Sequence, residues 1–217
     1  FELGSGFEYY DDLFVNMGFS SYVETIKTDS SASASIIKQK GSFFDTYINY
    51  TFDYDKRNQK FRTSNGYRSR FTQSVPVLSE SFALKNSYNF KVYGEWLDKN
   101  VASFGFFANG INSLTGKDVK LSDRLFVASS KLRGFETGKV GPMDGADFIG
   151  GNYATGFNLT STIPQILPNS DNTNFSIFLD AANIWGVDYN STLSNNSKIK
   201  SSIGIAVDFF TPIGPLN

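Results

Sequence analysis

The 217-residue chain contains no cysteine and no histidine. Their absence excludes a disulfide framework, a thiolate zinc site, a cysteine nucleophile and a histidine general base, which together make up most familiar catalytic constellations. A thiol-free chain is compatible with both the cytosol and an envelope compartment. Long apolar runs are also missing. No stretch approaches the roughly 18 to 20 consecutive apolar residues of a transmembrane helix, and the start Phe1-Glu2-Leu3-Gly4-Ser5 has no basic region, apolar segment or cleavage site. A helical membrane protein is excluded, whereas a β-barrel is not. Charge of one sign is lacking too: 20 Lys and Arg face 21 Asp and Glu, for a net charge of −1. With no global basic field, no nucleic-acid partner is expected.

Aromatic residues are plentiful, with 22 Phe and 11 Tyr, enough for an aromatic surface as well as a core. They recur with a period of two. Between Ser42 and Asp55, Phe44, Thr46, Ile48, Tyr50, Phe52 and Tyr54 alternate with Asp45, Tyr47, Asn49, Thr51 and Asp53. The same alternation marks Phe1 to Tyr10, Leu13 to Val23, Tyr67 to Val75, Tyr88 to Trp96, about Val101 to Ala108, Tyr153 to Ile163, Phe175 to Trp185 and Ile199 to Phe209, about nine strands in all. Asp11-Asp12 and Asp98-Lys99-Asn100 form short turns. Thr28 to Gly41, too irregular for a helix, about Asn109 to Gly150, and the segment before Ile199 are longer connections. Strands of this length, with short and long connections alternating, fit an antiparallel transmembrane β-barrel. A soluble β-sandwich with one wet face is the alternative.

Strand parity sorts the residues by face. Ile48, Phe52, Leu159, Leu179 and Ile205 are expected to face lipid, and Asp45, Asn49, Asn158, Asp180 and Lys200 the interior. The segment from about Asn109 to Gly150 is expected to fold back against the inner face. Phe178, Asp180 and Ala182 share one side of their strand, opposite Ile177, Leu179 and Ala181, so Asp180 needs solvent or a partner. Arg133, in the loop segment Leu132-Arg133-Gly134-Phe135, is the candidate cation. Arg68, Arg70, Lys91, Asp45 and Glu95 are expected to keep the interior wet rather than form a selectivity ring. Asn190-Ser191-Thr192 and Asn195-Asn196-Ser197 match glycosylation acceptors, but loop solvation accounts for them. The glycines around Gly145-Ala146-Asp147 do not stand between a strand and a helix, so no phosphate cradle is implied.

Several of these segments resemble the BamA-type outer-membrane protein assembly superfamily, the bacterial surface antigen barrel. Lys131-Leu132-Arg133-Gly134-Phe135 is similar to its (V/I)RG(F/Y) loop motif, followed by Gly141-Pro142 and Gly150-Gly151-Asn152. Phe178-x-Asp180 is similar to its FxDxG strand motif, Thr211-Pro212-Ile213-Gly214-Pro215-Leu216 to its (S/T)PxGPL turn, and Asp55-x-Arg57 with Asn65-Gly66 to a weaker D-x-R…PTxG turn. The motifs occur in order and at fitting spacing. Leu132 stands where the family has Val or Ile, Ala182 where it prefers Gly, and Thr63-Ser64 where it has Pro-Thr.

The resemblance implies that the chain is a fragment, about nine strands of a sixteen-stranded barrel, lacking the periplasmic POTRA domains, the first strands and the closing strand. It further implies that Arg133 pairs with Asp180 beside Phe178, while Gly134 permits the loop tip. No catalytic, cofactor-binding or metal-ligating residue is expected. The implied role is non-enzymatic insertion of outer-membrane proteins in the bacterial outer membrane. Its partners would be unfolded client barrels, outer-membrane lipid and accessory lipoproteins. The alternatives are a paralogous TamA or two-partner secretion transporter and, from another class, a passive porin or soluble sandwich.

Overall fold

The computed structural model describes residues 1–97, 100–163, 173–187, 198–211 and 214–216. Antiparallel strands follow one another along the chain: β1 (Glu2–Tyr10), β2 (Leu13–Ile26), β3 (Gly41–Asp55), β4 (Gly66–Ser79), β5 (Ala83–Leu97) and β6 (Asn100–Ser113). After a two-strand hairpin of β7 (Met143–Asp144) and β8 (Asp147–Phe148) come β9 (Tyr153–Thr162), β10 (Thr173–Trp185), β11 (Lys200–Thr211) and the short β12 (Gly214–Leu216). All but the hairpin form one sheet in the order β1-β2-β3-β4-β5-β6-β9-β10-β11-β12. Each strand therefore pairs with its sequence neighbour, the 39-residue connection between β6 and β9 included.

The register aligns the apolar parity from strand to strand. One row runs Val92, Phe104, Leu159, Leu179, Ile203, and another runs Val15, Phe52, Phe71, Tyr88. Aromatic and β-branched cross-strand pairs stabilise such rows. Ile48, Phe52, Leu159, Leu179 and Ile205 are all exposed, whereas Asp45 and Asp180 are fully buried on the other face. An apolar face that no second sheet covers, among the described residues, departs from the sandwich alternative. It is the arrangement a hydrocarbon solvent selects, because the ladder satisfies backbone groups internally. Strands of 12 to 15 residues (β2 to β6, β10, β11) reach across a bilayer core even when tilted. No helix among the described residues is long and apolar enough to do so.

The core lies between the inner face of the sheet and the connection from Leu114 to Asn152. Phe107, Ala154, Ala182 and Ile184 project from β6, β9 and β10 and pack with Val127, Leu132 and Val140 of that connection. Ala83 and Ile111 enclose Val119 in a second cluster.

Three expectations need correction. β6 runs to Ser113 rather than ending near Ala108, because Ile111 turns inward under the connection and inverts the wet-dry alternation there. The segment from Thr28 to Gly41 holds a one-turn helix, α1 (Ala34–Ile37). Connection lengths also alternate less regularly than expected. Ten residues separate β3 from β4, whereas β4 and β5 are joined by a three-residue turn in which Ser79 Oγ accepts from the backbone N–H groups of Ser81 and Phe82.

Candidate functional site

Arg133 and Asp180, 47 residues apart in sequence, meet on the inner face. A tight turn shapes the loop tip, where the N–H groups of Lys131 and Leu132 both donate to Ala128 O, at 2.9 and 3.2 Å. Gly134 follows with φ +83°, a conformation that disfavours any side chain. Leu132 and Phe135 point into the apolar cluster below, and Leu132 is among the most deeply buried side chains in the protein. With those two side chains seated, Arg133 is aimed along the inner face of β10.

The contact is bidentate. Arg133 Nε donates to Asp180 Oδ2 and Nη2 to Oδ1, both at 2.7 Å, and the Arg133 backbone N–H adds a third bond to Oδ2 at 3.0 Å. Asn158 Nδ2 donates to Asp180 Oδ1 and to Lys131 O, each at 2.8 Å, so β9 ties the loop tip to the carboxylate. The same Nη2 also donates to Thr160 Oγ1, at 3.2 Å. The guanidinium plane lies over Phe178, with Cζ 3.8 Å from the ring centroid. This geometry uses the guanidinium as a planar fork and as a stacking surface at once, which an ammonium cannot do.

Phe178 lies flat because its cross-strand partner on β11 is Gly204, where an added Cβ would fall 2.8 Å from the ring. All six residues expected in the lock, Leu132, Arg133, Gly134, Phe135, Phe178 and Asp180, are thus brought together. Gly204 and Thr160 went unrecognised. The only trace of them in the sequence is their inward parity, and Gly204 is identifiable only once its partner is known.

A second anchor was also missed. Lys120, in the same connection, is buried with its Nζ 2.5 Å from Asp45 Oδ2 on β3 and 2.9 Å from Glu24 Oε2 on β2. The rings of Tyr22 and Phe43 flank it, at 5.5 and 5.4 Å. Burial pulls the Lys120 ammonium down, but hydrogen bonds to Asp45 and Glu24 more than reverse this, so its pKa is raised and it carries its charge. Asp45 therefore serves as an anchor rather than a wetting charge. Beside it Lys85 on β5 meets Asp123 at 2.6 Å. The connection is held at both flanks of the sheet, by Lys120 at β2 and β3 and by Arg133 at β10.

Of the expected wetting charges, Arg68 is paired with Asp53, through bonds of 2.8 and 2.5 Å. The weaker turn motif is formed, with Arg57 Nε and Nη2 donating to Asp55 at 2.7 Å. Of the C-terminal turn motif, Pro212 and Ile213 lie outside the described residues, as do the two glycosylation-type sequences at 190–192 and 195–197.

Comparison with known proteins agrees with this architecture. A family model described as the Omp85 superfamily domain matches residues 1–217. A SAM50-like protein of Schizosaccharomyces pombe is 29% identical over 150 residues, 64% of this chain and 30% of its own length. The crystal structure of BamA from Haemophilus ducreyi lacking POTRA domains 1–3 superposes with a TM-score of 0.82 at 20% identity, over 99% of this chain and 48% of that one. The chain therefore spans less than half the length of either.

Proposed function

We infer, because this chain belongs to the Omp85 superfamily, that it is part of a non-enzymatic, cofactor-free barrel that inserts proteins into an outer membrane. The observation that carries the reading is the connection clamped to the inner face by Arg133–Asp180, beneath a sheet whose outer face is bare and apolar. Client strands entering hydrocarbon carry unpaired backbone groups, each costing several kcal/mol. A barrel that presents strand edges and a locally disturbed bilayer lowers that barrier. The Arg133–Asp180 clamp fixes the inner wall while strands rearrange. Its partners are unfolded outer-membrane proteins, lipid and the lipoproteins of an assembly complex. The resemblance to the bacterial surface antigen barrel favours a bacterial outer membrane, and the fission-yeast SAM50-like relative makes a mitochondrial outer membrane the alternative.

A translocation pore of the TamA or two-partner type is the second reading, favoured by an open, cation-lined cavity of about 1030 Å³ beneath the loop. Reconstitution of the full-length protein into proteoliposomes separates the two. An insertase accelerates the appearance of heat-modifiable client barrels in the same membrane, and that gain falls with Arg133→Ala. A client released into the vesicle interior, or assembly no faster than in empty liposomes, refutes the insertase. Ile48→Arg should destabilise the barrel by about 2 to 4 kcal/mol and Asn49→Arg by far less, if Ile48 faces lipid near the midplane.

A further inference from the structure

The inner cavity is lined by six cations, and they are unequally matched. Arg57, Arg68 and Arg133 are each held bidentately by a carboxylate, those of Asp55, Asp53 and Asp180. Arg70 comes no nearer than 4.0 Å to Asp53, which Arg68 already occupies. Among the described residues, Lys91 and Lys131 have no carboxylate within salt-bridge distance. Lys91 lies over the Tyr93 ring, and Lys131 over Phe107 with one 3.4 Å bond to Asn89 Oδ1.

Lys131 shows the electrostatic consequence. Burial and then the neighbouring Lys91 lower its pKa, as expected for a cation in an uncompensated positive field. The one further carboxylate on the lining, Asp208, belongs to β11. The cavity floor is open between Lys91 and Asn158 because their shared cross-strand neighbour is Gly105, where an added Cβ meets nothing nearer than 3.8 Å.

We propose that this cavity binds an acidic, extended polypeptide segment, its carboxylates received by Arg70, Lys91 and Lys131 beside the loop tip. The inference goes beyond the assembly reading, which places clients at strand edges, by giving the inner face a client segment to hold. Ser103, Ser129 and Ser130 supply hydroxyls around the cations, suited to the donors and acceptors of an extended backbone. A lipid phosphate is disfavoured because the apolar rows that would hold its acyl chains lie on the opposite face of the sheet. Since Lys131 adjoins Arg133 and its carbonyl is held by Asn158, an occupant would sit directly against the lock.

The test uses the full-length protein in lipid nanodiscs and a short peptide of alternating aspartate and serine carrying a neutral dye, titrated by fluorescence anisotropy. The same peptide with asparagine for aspartate is the control. The acidic peptide should bind, less tightly as salt is added, and the control should not. Lys91→Gln with Lys131→Gln should weaken binding by roughly tenfold or more. Gly105→Trp should weaken it as much by placing an indole on the cavity floor between Lys91 and Asn158 while leaving every cation in place. Heat-modifiable mobility identifies the folded variants.

Equal binding by both variants, or by the control peptide, overturns the proposal. So does tighter binding of short-chain phosphatidic acid that displaces the peptide, which would assign the cavity to lipid phosphate. Binding is read without any client folding. A wild type that binds the peptide but assembles no client refutes the assembly reading alone, and one that assembles clients without binding the peptide refutes this inference alone.

Discussion

Breaking the Arg133–Asp180 pair from either side should have unequal costs. Asp180 is fully buried and accepts four hydrogen bonds, two from the guanidinium, one from the Arg133 backbone and one from Asn158. Arg133→Ala removes both charge-assisted bonds and strands the carboxylate. Breaking a buried pair costs about 3 to 5 kcal/mol, and because the Arg133 side chain is 27% exposed the lower end applies, about 3 kcal/mol. Asp180→Ala leaves the guanidinium on Thr160 and Phe178 with water within reach, at about 1 to 2 kcal/mol. The double variant strands no charge and should be no worse than Arg133→Ala, so the coupling energy is at least about 1 to 2 kcal/mol. Urea unfolding of the full-length protein in lipid vesicles, followed by tryptophan fluorescence, measures the cycle. Additivity within about 0.5 kcal/mol would show that the two side chains act independently and refute the reasoning.

Lys120→Met should strand Asp45 and cost about 3 kcal/mol. Limited proteolysis of residues 114–152 should show slow cleavage in Lys120→Met and in Arg133→Ala alone, and rapid cleavage only when both anchors are removed. Gly204→Val should displace the Phe178 ring and destabilise by about 1 to 3 kcal/mol; adding Phe178→Ala should recover part of that loss in the same unfolding assay. Hydrogen bonds from Ser35 hold the Asp144 carboxyl below the usual carboxylate range, so the contact between the β7–β8 hairpin and α1 is favoured above the unfolded pKa of about 4 and lost as pH falls through the lower folded value. Hydrogen exchange at the Ser35 amide should therefore lose protection below about pH 4 relative to pH 6, after correction for intrinsic rates. Unchanged protection would assign the contact to packing alone.

The two faces of the sheet were legible in the sequence because a strand's period of two is a local property: Phe44, Ile48 and Phe52 must share a side whatever the rest of the chain does. The ion pair was legible as residue types, a carboxylate among inward residues and an arginine in a loop expected to fold back over that face, and the motif resemblance reinforced the pairing. The tertiary structure decided the rest. Lys120 and Asp45 are 75 residues apart, and nothing near Lys120 in the sequence distinguishes it from a solvated lysine, since its partner depends on the path of the whole connection. Gly204 had meaning only after the register placed it under Phe178. The end of β6 was misplaced because alternation reports which face is wet. Where the connection covers the inner face, Phe107, Ile111 and Ile184 are apolar on the side the pattern reserves for water. Local alternation encodes the solvent a residue would meet on a bare sheet, and the returning chain replaces that solvent with protein.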